Sequence, residues 1–170
     1  EAKYKDDWTP LHLAAYGGHA AAIQALVDKG ANVEVKNKDD WTPLHWAAQE
    51  GHTIAIQALV DKGANVEAKT DIGFTPLHLA ALYGQEAVIH TLLSKSANIE
   101  AKDNDSFTPL HWAAVGGHSA AIQALLAKGA NLEAKEDDHG LTSLHWAAVG
   151  GHSAAIQALV DKGANLEAKD

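Results

Sequence analysis

Cysteine is absent from the 170 residues, so neither a disulfide nor a thiolate metal site is open to this chain. Long apolar runs are absent too: none approaches the 18 residues of a spanning helix, so no membrane association is expected. A charged-then-apolar leader is likewise missing, which disfavours a retained signal peptide; the compartment is left open, with a soluble, intracellular protein expected over a secreted one. Basic residues are in deficit, with 13 Lys and Arg against 22 Asp and Glu and a net charge of −9. Phosphate backbones demand a basic face, so no nucleic-acid partner is expected. The acidic balance suits a neutral or basic protein partner, and is equally what keeps an ordinary domain in solution. No His-Glu-x-x-His, phosphate loop, Gly-x-Ser-x-Gly or dinucleotide fingerprint occurs, so no catalysis and no cofactor is expected.

What the chain does have is repetition. Thr-Pro-Leu-His starts at Thr9, Thr42, Thr75 and Thr108 and returns as Thr-Ser-Leu-His at Thr142, with spacings of 33, 33, 33 and 34 residues. A fixed period in this range belongs to a stacked array, in which each unit hides its apolar face against its neighbours. Hydrophobic residues at 46% are enough to fold such an array. Residues 1–170 are read as one domain, with copies near 5–37, 38–70, 71–103, 104–137 and 138–170. The chain begins at Glu1 inside a copy and is read as a segment of a longer array. His111–Leu125 and His145–Leu159 are identical over fifteen residues, which points to recent duplication or to design.

One copy predicts its own structure. Thr42 followed by Pro43 is a helix start, since the hydroxyl caps free N–H groups and proline is pre-set for the first helical position. Leu44, Ala47 and Ala48 then make one buried stripe, and Gly51 ends the helix after two turns. A second helix carries Ile56, Leu59 and Val60 and stops at Gly63. The remainder is extended, polar and turned at its tip. These residues, Thr-Pro-Leu-His-Trp-Ala-Ala, then Gly-His, then Ala-Leu-Val-Asp-Lys-Gly-Ala-Asn-Val, resemble the ankyrin repeat over essentially the whole chain. The resemblance implies an all-α solenoid of helix-turn-helix units with projecting hairpin-like loops. Proteins similar to it bind other proteins through the hairpin tips and the inner face of the first helices.

Departures from the pattern carry their own expectations. The turn position two before each Thr, usually glycine, is Asp7, Asp40, Gly73, Ser106 and Gly140. The helix-ending glycine becomes Ser96 and the second His becomes Gln85 in the third copy, which marks it as the weakest. The fifth copy has one extra residue in the Glu136–Gly140 turn and Ser143 in place of proline, so a reshaped hairpin on an intact stack is expected.

Eleven histidines invite a metal reading, and their spacing opposes it. His12, His45, His78, His111 and His145 occur one per copy, as do His19, His52, His118 and His152. Stacked helices lie roughly 8–10 Å apart, whereas zinc needs several nitrogens each about 2 Å from one ion. No metal site is expected; the resemblance implies that both series bond to backbone near the loops. The Glu-x-Lys pairs at Glu34/Lys36, Glu67/Lys69, Glu100/Lys102 and Glu133/Lys135 read as solvated surface, worth roughly 0–1 kcal/mol each.

The residue two after each buried Leu points about 200° away from it, off the core stripe. These are Leu13, Trp46, Leu79, Trp112 and Trp146, and the resemblance places them on the concave groove. Trp8, Trp41, Phe74, Phe107 and Leu141 precede the capping Thr, on the inner side of each hairpin. Tyr16, Gln49, Glu50, Leu82, Tyr83, Val115 and Val149 stand nearby, with acidic tips at Asp6, Asp39, Asp105 and Asp138. Two readings stay open for the aromatic columns: a recognition surface, since Trp and Tyr dominate binding hot spots, or rings that pack on each other and stiffen the stack. The expected function is a module that binds a partner protein or peptide of apolar and basic character. The alternatives are a spacer stretch of a longer array, or an engineered scaffold without a natural partner. Neither terminal copy has a polar outer face, which predicts concentration-dependent end-to-end self-association.

Overall fold

The computed structural model describes residues 7–169. Within them lie ten helices in five antiparallel pairs: α1 (Pro10–Tyr16) with α2 (Ala20–Asp28), α3 (Pro43–Gln49) with α4 (Thr53–Asp61), α5 (Pro76–Leu82) with α6 (Glu86–Ser94), α7 (Pro109–Val115) with α8 (Ser119–Ala127), and α9 (Ser143–Val149) with α10 (Ser153–Asp161). Odd-numbered helices stack on odd-numbered ones and even on even, giving a two-layer solenoid. The core runs along it as a continuous strip; Leu44, Ala47, Ala48, Ile56 and Leu59 are at most 1% exposed. Burying a Leu or Ile side chain stabilises by roughly 1.5–3 kcal/mol, so the strip supplies the dominant force.

Each first helix is started by a capping box with histidine in the place of the usual glutamate. The Thr backbone N–H donates to Nδ1 of the His three residues on, at 3.1 Å for Thr9, Thr42, Thr75 and Thr142 and 3.2 Å for Thr108. Nε2 of the same ring reaches a carbonyl: Trp41 (2.9 Å) from His12, Phe74 (3.0 Å) from His45, Phe107 (3.0 Å) from His78, Leu141 (3.3 Å) from His111. A carbonyl oxygen only accepts, so Nε2 carries the proton and Nδ1 is the acceptor. Each imidazole therefore ties one repeat to the hairpin of the next. The second series ties backwards: Nε2 of His52, His118 and His152 donates to the carbonyls of Tyr16, Leu82 and Val115 at 2.9–3.0 Å. Gln85 does the same to Gln49 at 2.8 Å, so the amide preserves this rung. Both histidine series are thus bonded to backbone near the loops.

The Glu-x-Lys pairs correct their expected role. Glu34, Glu67, Glu100 and Glu133 accept the backbone N–H of Asn65, Asn98, Asn131 and Asn165 in the following repeat, at 2.7–2.9 Å. Lys36 and Lys69 donate to the Lys69 and Lys102 carbonyls. Period and extended chain put the same side chain beside the next copy each time, so a pair read as solvation is an inter-repeat brace.

The turn position adopts the left-handed conformation whatever occupies it: φ is 56° at Asp7, 59° at Asp40, 84° at Gly73, 63° at Ser106 and 67° at Gly140. Ser96 is left-handed at 67°, where Gly30, Gly63, Gly129 and Gly163 sit between 92° and 95°. A side chain there costs roughly 1–2 kcal/mol. In these hairpins the N–H of Asn37, Thr70 and Asp103 donates to the carbonyl four residues on, and its own carbonyl accepts the N–H three residues on. The last closes over five residues, Glu136 to Leu141, with a bridge between Lys135 and Thr142. α9 still packs on α7, so the extra residue is absorbed in the turn. Ser143 is fully buried at the first position of α9, and its hydroxyl has no partner.

Candidate protein-binding face

The two apolar columns interlock. Each helix ring enters between the hairpin residue of its own repeat and that of the repeat before. Trp46 lies 4.3 Å from Trp8 and 4.4 Å from Trp41, centroid to centroid, with Tyr16 edge-on at 6.0 Å. Trp112 lies 4.9 Å from Phe74 and 5.1 Å from Phe107, and Trp146 is 5.1 Å from Phe107. The rings around Trp46 are the tighter set and those around Trp112 and Trp146 sit at ordinary aromatic separations; such pairs are worth about 0.5–1.5 kcal/mol each beyond area burial. Leu79 occupies the ring position of the third repeat and is buried at 2% exposure. Two ring clusters result, Trp8/Tyr16/Trp41/Trp46 and Phe74/Phe107/Trp112/Trp146.

Closing the rings on one another changes which side chains meet solvent. Phe74 is buried, and Trp8, Trp41, Trp46, Phe107, Trp112, Leu141 and Trp146 are partly buried. Tyr16 at 45% and Tyr83 at 49% are open, as are Leu13 and Val149. These lie along or at the ends of the first helices, where Leu82 and Val115 are half-buried. Gln49 donates to Glu50 at 2.8 Å across the same row. At the hairpin tips Asp39, Asp105 and Asp138 are exposed, and Asp40 and Asp71 join them. Asp6 lies outside the described residues. The arrangement is an open, apolar-and-acidic strip, with aromatic tips above a packed ring layer.

One residue of this layer has no signature in the sequence. Asp103, 7% exposed, accepts the turn N–H groups of Asp105 (3.0 Å) and Phe107 (2.9 Å) on Oδ1 and the Trp112 indole N–H (2.8 Å) on Oδ2. Its equivalents are Asn37, Thr70 and Glu136, so the period disguises it. Trp46 and Trp146 hold buried indole N–H groups without an acceptor. Glu136 answers the enlarged last turn with a longer arm. Burial raises its carboxyl, yet the N–H groups of Leu141, His139 and Asp138, with His139 beside it, hold it below the ordinary range. Burial pushes His45 and His78 down to about 4, against the raising effect of the Phe74 and Phe107 carbonyls. These imidazoles are neutral at pH 7 and have no role as charged groups. Among the described residues no group of three or more His, Asp or Glu is placed to hold a metal ion, and no helix is long and apolar enough to cross a membrane.

The family model for ankyrin repeats (three copies) matches residues 11–103 and again 77–170. No curated protein matches the chain. Ankyrin repeats are generally protein–protein interaction modules, and the family is one of binding modules rather than enzymes. Stacked helix pairs, hairpin loops and the match over nearly its whole length agree: this chain belongs to the ankyrin-repeat family.

Proposed function

We propose that the strip formed by the first helices and the hairpin tips binds an extended or helical peptide segment of apolar and basic character. The observation that carries this reading is the exposure of Tyr16 and Tyr83 beside Glu50 and the aspartate tips. Tyrosine buries a large rigid surface at low entropic cost, and carboxylates at the rim select basic side chains and raise the on-rate. The proposed contact residues are Tyr16, Tyr83, Leu82, Gln49, Glu50, Asp39 and Asp105, with the outer edges of Trp8, Trp41, Trp46, Phe74, Phe107, Trp112, Leu141 and Trp146 as the floor.

Selection from a random peptide library, followed by calorimetry, tests it. Selected peptides should combine apolar residues with Lys or Arg, and Tyr16→Ser with Tyr83→Ser should weaken them at least tenfold in a variant that remains folded at the assay temperature, with a small drop in melting point from the lost Tyr16 contacts to Trp8 and Trp46. Unchanged affinity in a folded double variant would place the site elsewhere. Truncating Trp46 and Trp112 is a poorer probe, because those rings also hold repeats together. A second reading, a spacer that extends a longer array, is favoured by that same ring packing; it predicts that no peptide is selected.

A further inference from the structure

The hairpin tips repeat on the 33-residue period, and the middle one departs from it in chemistry. Asp39, Ile72 and Asp105 hold the same place on three consecutive tips, and all three are exposed, Ile72 at 50%. Residues 38–40, 71–73 and 104–106 together carry four aspartates, Asp39, Asp40, Asp71 and Asp105, against one lysine, Lys38. Lys36 pairs with Asp40 at 3.3 Å and Lys102 with Asp137 at 3.2 Å, so Asp39, Asp71 and Asp105 are in no ion pair among the described residues. A single apolar side chain in solvent is ordinary. One flanked in register by a carboxylate on each side is a recognition pattern.

The row is also held in place. Asp71 N–H donates to the Asp39 carbonyl (3.2 Å), Asn104 N–H to the Ile72 carbonyl (3.2 Å), and the Asn104 side-chain amide to the Asp71 carbonyl (3.0 Å). The Ile72 N–H is taken by Asp71 Oδ1 at 2.9 Å. Gly73, at φ 84°, lets the third tip lie directly on the fourth, since a Cβ there would meet the Asn104 nitrogen at 2.7 Å. Ile72 is therefore fixed before any partner arrives, which lowers the entropic cost of binding. The N–H groups of Asp39 and Asp105 are bonded within their own turns as well. An added β-strand would find no backbone donor on this row, so recognition falls to side chains. Trp46 sits between the hairpin rings Trp8 and Trp41 at 4.3 and 4.4 Å, which sets neighbouring hairpins at the roughly 8–10 Å pitch of stacked helices.

We infer that the row Asp39, Ile72, Asp105 takes a polyproline II segment of the partner, with one apolar side chain on Ile72 and a Lys or Arg three residues to either side, over Asp39 and Asp105. This rests on the strip being a peptide site, and fixes the conformation and register of the part that crosses the tips. A polyproline II helix has three residues per turn, rises about 3.1 Å per residue and needs no backbone partner. Every third side chain therefore returns to one face after roughly 9 Å, one step of the array. A β-strand returns every second residue after roughly 7 Å and falls out of step. An α-helix returns after seven residues and about 10.5 Å, beyond the pitch. Aromatic-lined surfaces are where polyproline II segments dock, and the rings of Trp41, Phe74 and Phe107 stand two residues after the three tip positions.

Fluorescence anisotropy with the labelled peptide Arg-Pro-Pro-Leu-Pro-Pro-Arg and the full chain tests this. The peptide should bind saturably. It should bind at least tenfold more tightly than Arg-Pro-Leu-Pro-Arg, or than an alanine-based helical peptide with Arg seven residues to either side of Leu. Ile72→Asp gives the third tip the residue of its neighbours, and circular dichroism should show the helices intact. That variant should lose at least tenfold for the Leu peptide and prefer Arg-Pro-Pro-Arg-Pro-Pro-Arg. Asp39→Ser with Asp105→Ser should weaken the Leu peptide several-fold and flatten its salt dependence. No binding of the probe, equal affinity for the three spacings, or undiminished binding to folded Ile72→Asp would overturn the inference. Library-selected peptides that lose affinity in Tyr16→Ser with Tyr83→Ser but not in Ile72→Asp would leave the strip as a peptide site and overturn only this register. A library that yields none would overturn both.

Discussion

The hairpin entered at Asn37 and the one entered at Asp103 are built alike except for one atom. In both, Oδ1 accepts two turn N–H groups: those of Asp39 (3.1 Å) and Trp41 (2.8 Å) in the first, and of Asp105 (3.0 Å) and Phe107 (2.9 Å) in the second. Both side chains are buried, at 6% and 7% exposure. Both precede by nine residues a Trp set between two hairpin rings. The aspartate has a second oxygen for the Trp112 indole; the asparagine has an amide in its place, and the Trp46 indole is left without an acceptor. A buried donor without a partner costs about 1–3 kcal/mol. Equal backbones and equal rings therefore differ in stability, because turn support and indole support were assigned to the same side chain.

Acid should have the largest effect, because a buried histidine closes both of these hairpins and the one between them. His12 donates to the Trp41 carbonyl and His78 to that of Phe107; burial lowers both imidazoles, and carries His78 to about 4 even with Asp103 beside it. His45, between them, is also at about 4. Between pH 6.5 and about 4 the unfolded chain takes up protons that these rings refuse, so their contribution is complete above 6.5 and is lost as pH falls. Each of His45 and His78 then removes roughly 3 kcal/mol over that window. Protonated Nδ1 also faces the Thr N–H, which breaks the cap. Urea denaturation in steps from pH 7 to pH 5 checks this. Glu136 is depressed below 4.5 and is lost only in stronger acid, so the upper window isolates the histidines. A flat profile there would sink the argument.

The next largest effect comes from erasing the difference. Asp103→Asn keeps the turn acceptor and replaces the indole acceptor with a donor, so stability should fall by about 1.5–3 kcal/mol, the range for a bond to a charged group. In a Trp112→Phe background the same substitution should cost much less. Equal losses in both backgrounds would show that the Trp112 bond contributes nothing.

This comparison also shows what the sequence carries. The helices were readable because Thr-Pro and the Leu/Ala/Ile spacing act locally, and the left-handed turns were readable at Asp7, Asp40 and Ser106 because register alone put them there. The site was only partly readable. Spacing located the two aromatic columns, but not that Trp46 and Trp112 would be filled on both sides by rings 33 residues apart. That outcome depends on ring size and tilt across a junction, which periodicity does not encode. The His-for-Glu capping box was legible in principle from Thr-x-x-His at cap spacing. Asp103 was not, since its role appears only when Trp112 is folded over it.

The smallest effect, and the most discriminating, comes from installing the missing acceptor. Asn37→Asp gives the front hairpin the Oδ2 that Asp103 turns toward its indole, and should raise stability by about 1 kcal/mol, the net value of a formed hydrogen bond. Desolvation does not forbid it, because Asp103 is accommodated at the same depth. The start of α3 lies close by, and a helix N-terminus favours negative charge by about 0.3–1 kcal/mol. Asp39 and Asp40 oppose it as like charges, partly offset by Lys36, which already pairs with Asp40 at 3.3 Å. The decisive background is Trp46→Phe, which keeps the ring and deletes the orphan N–H. If the indole bond carries the gain, Asn37→Asp should lose its advantage there. A gain that persists beside Phe would belong to the helix terminus instead, and the two hairpins would then differ in charge rather than in hydrogen bonding.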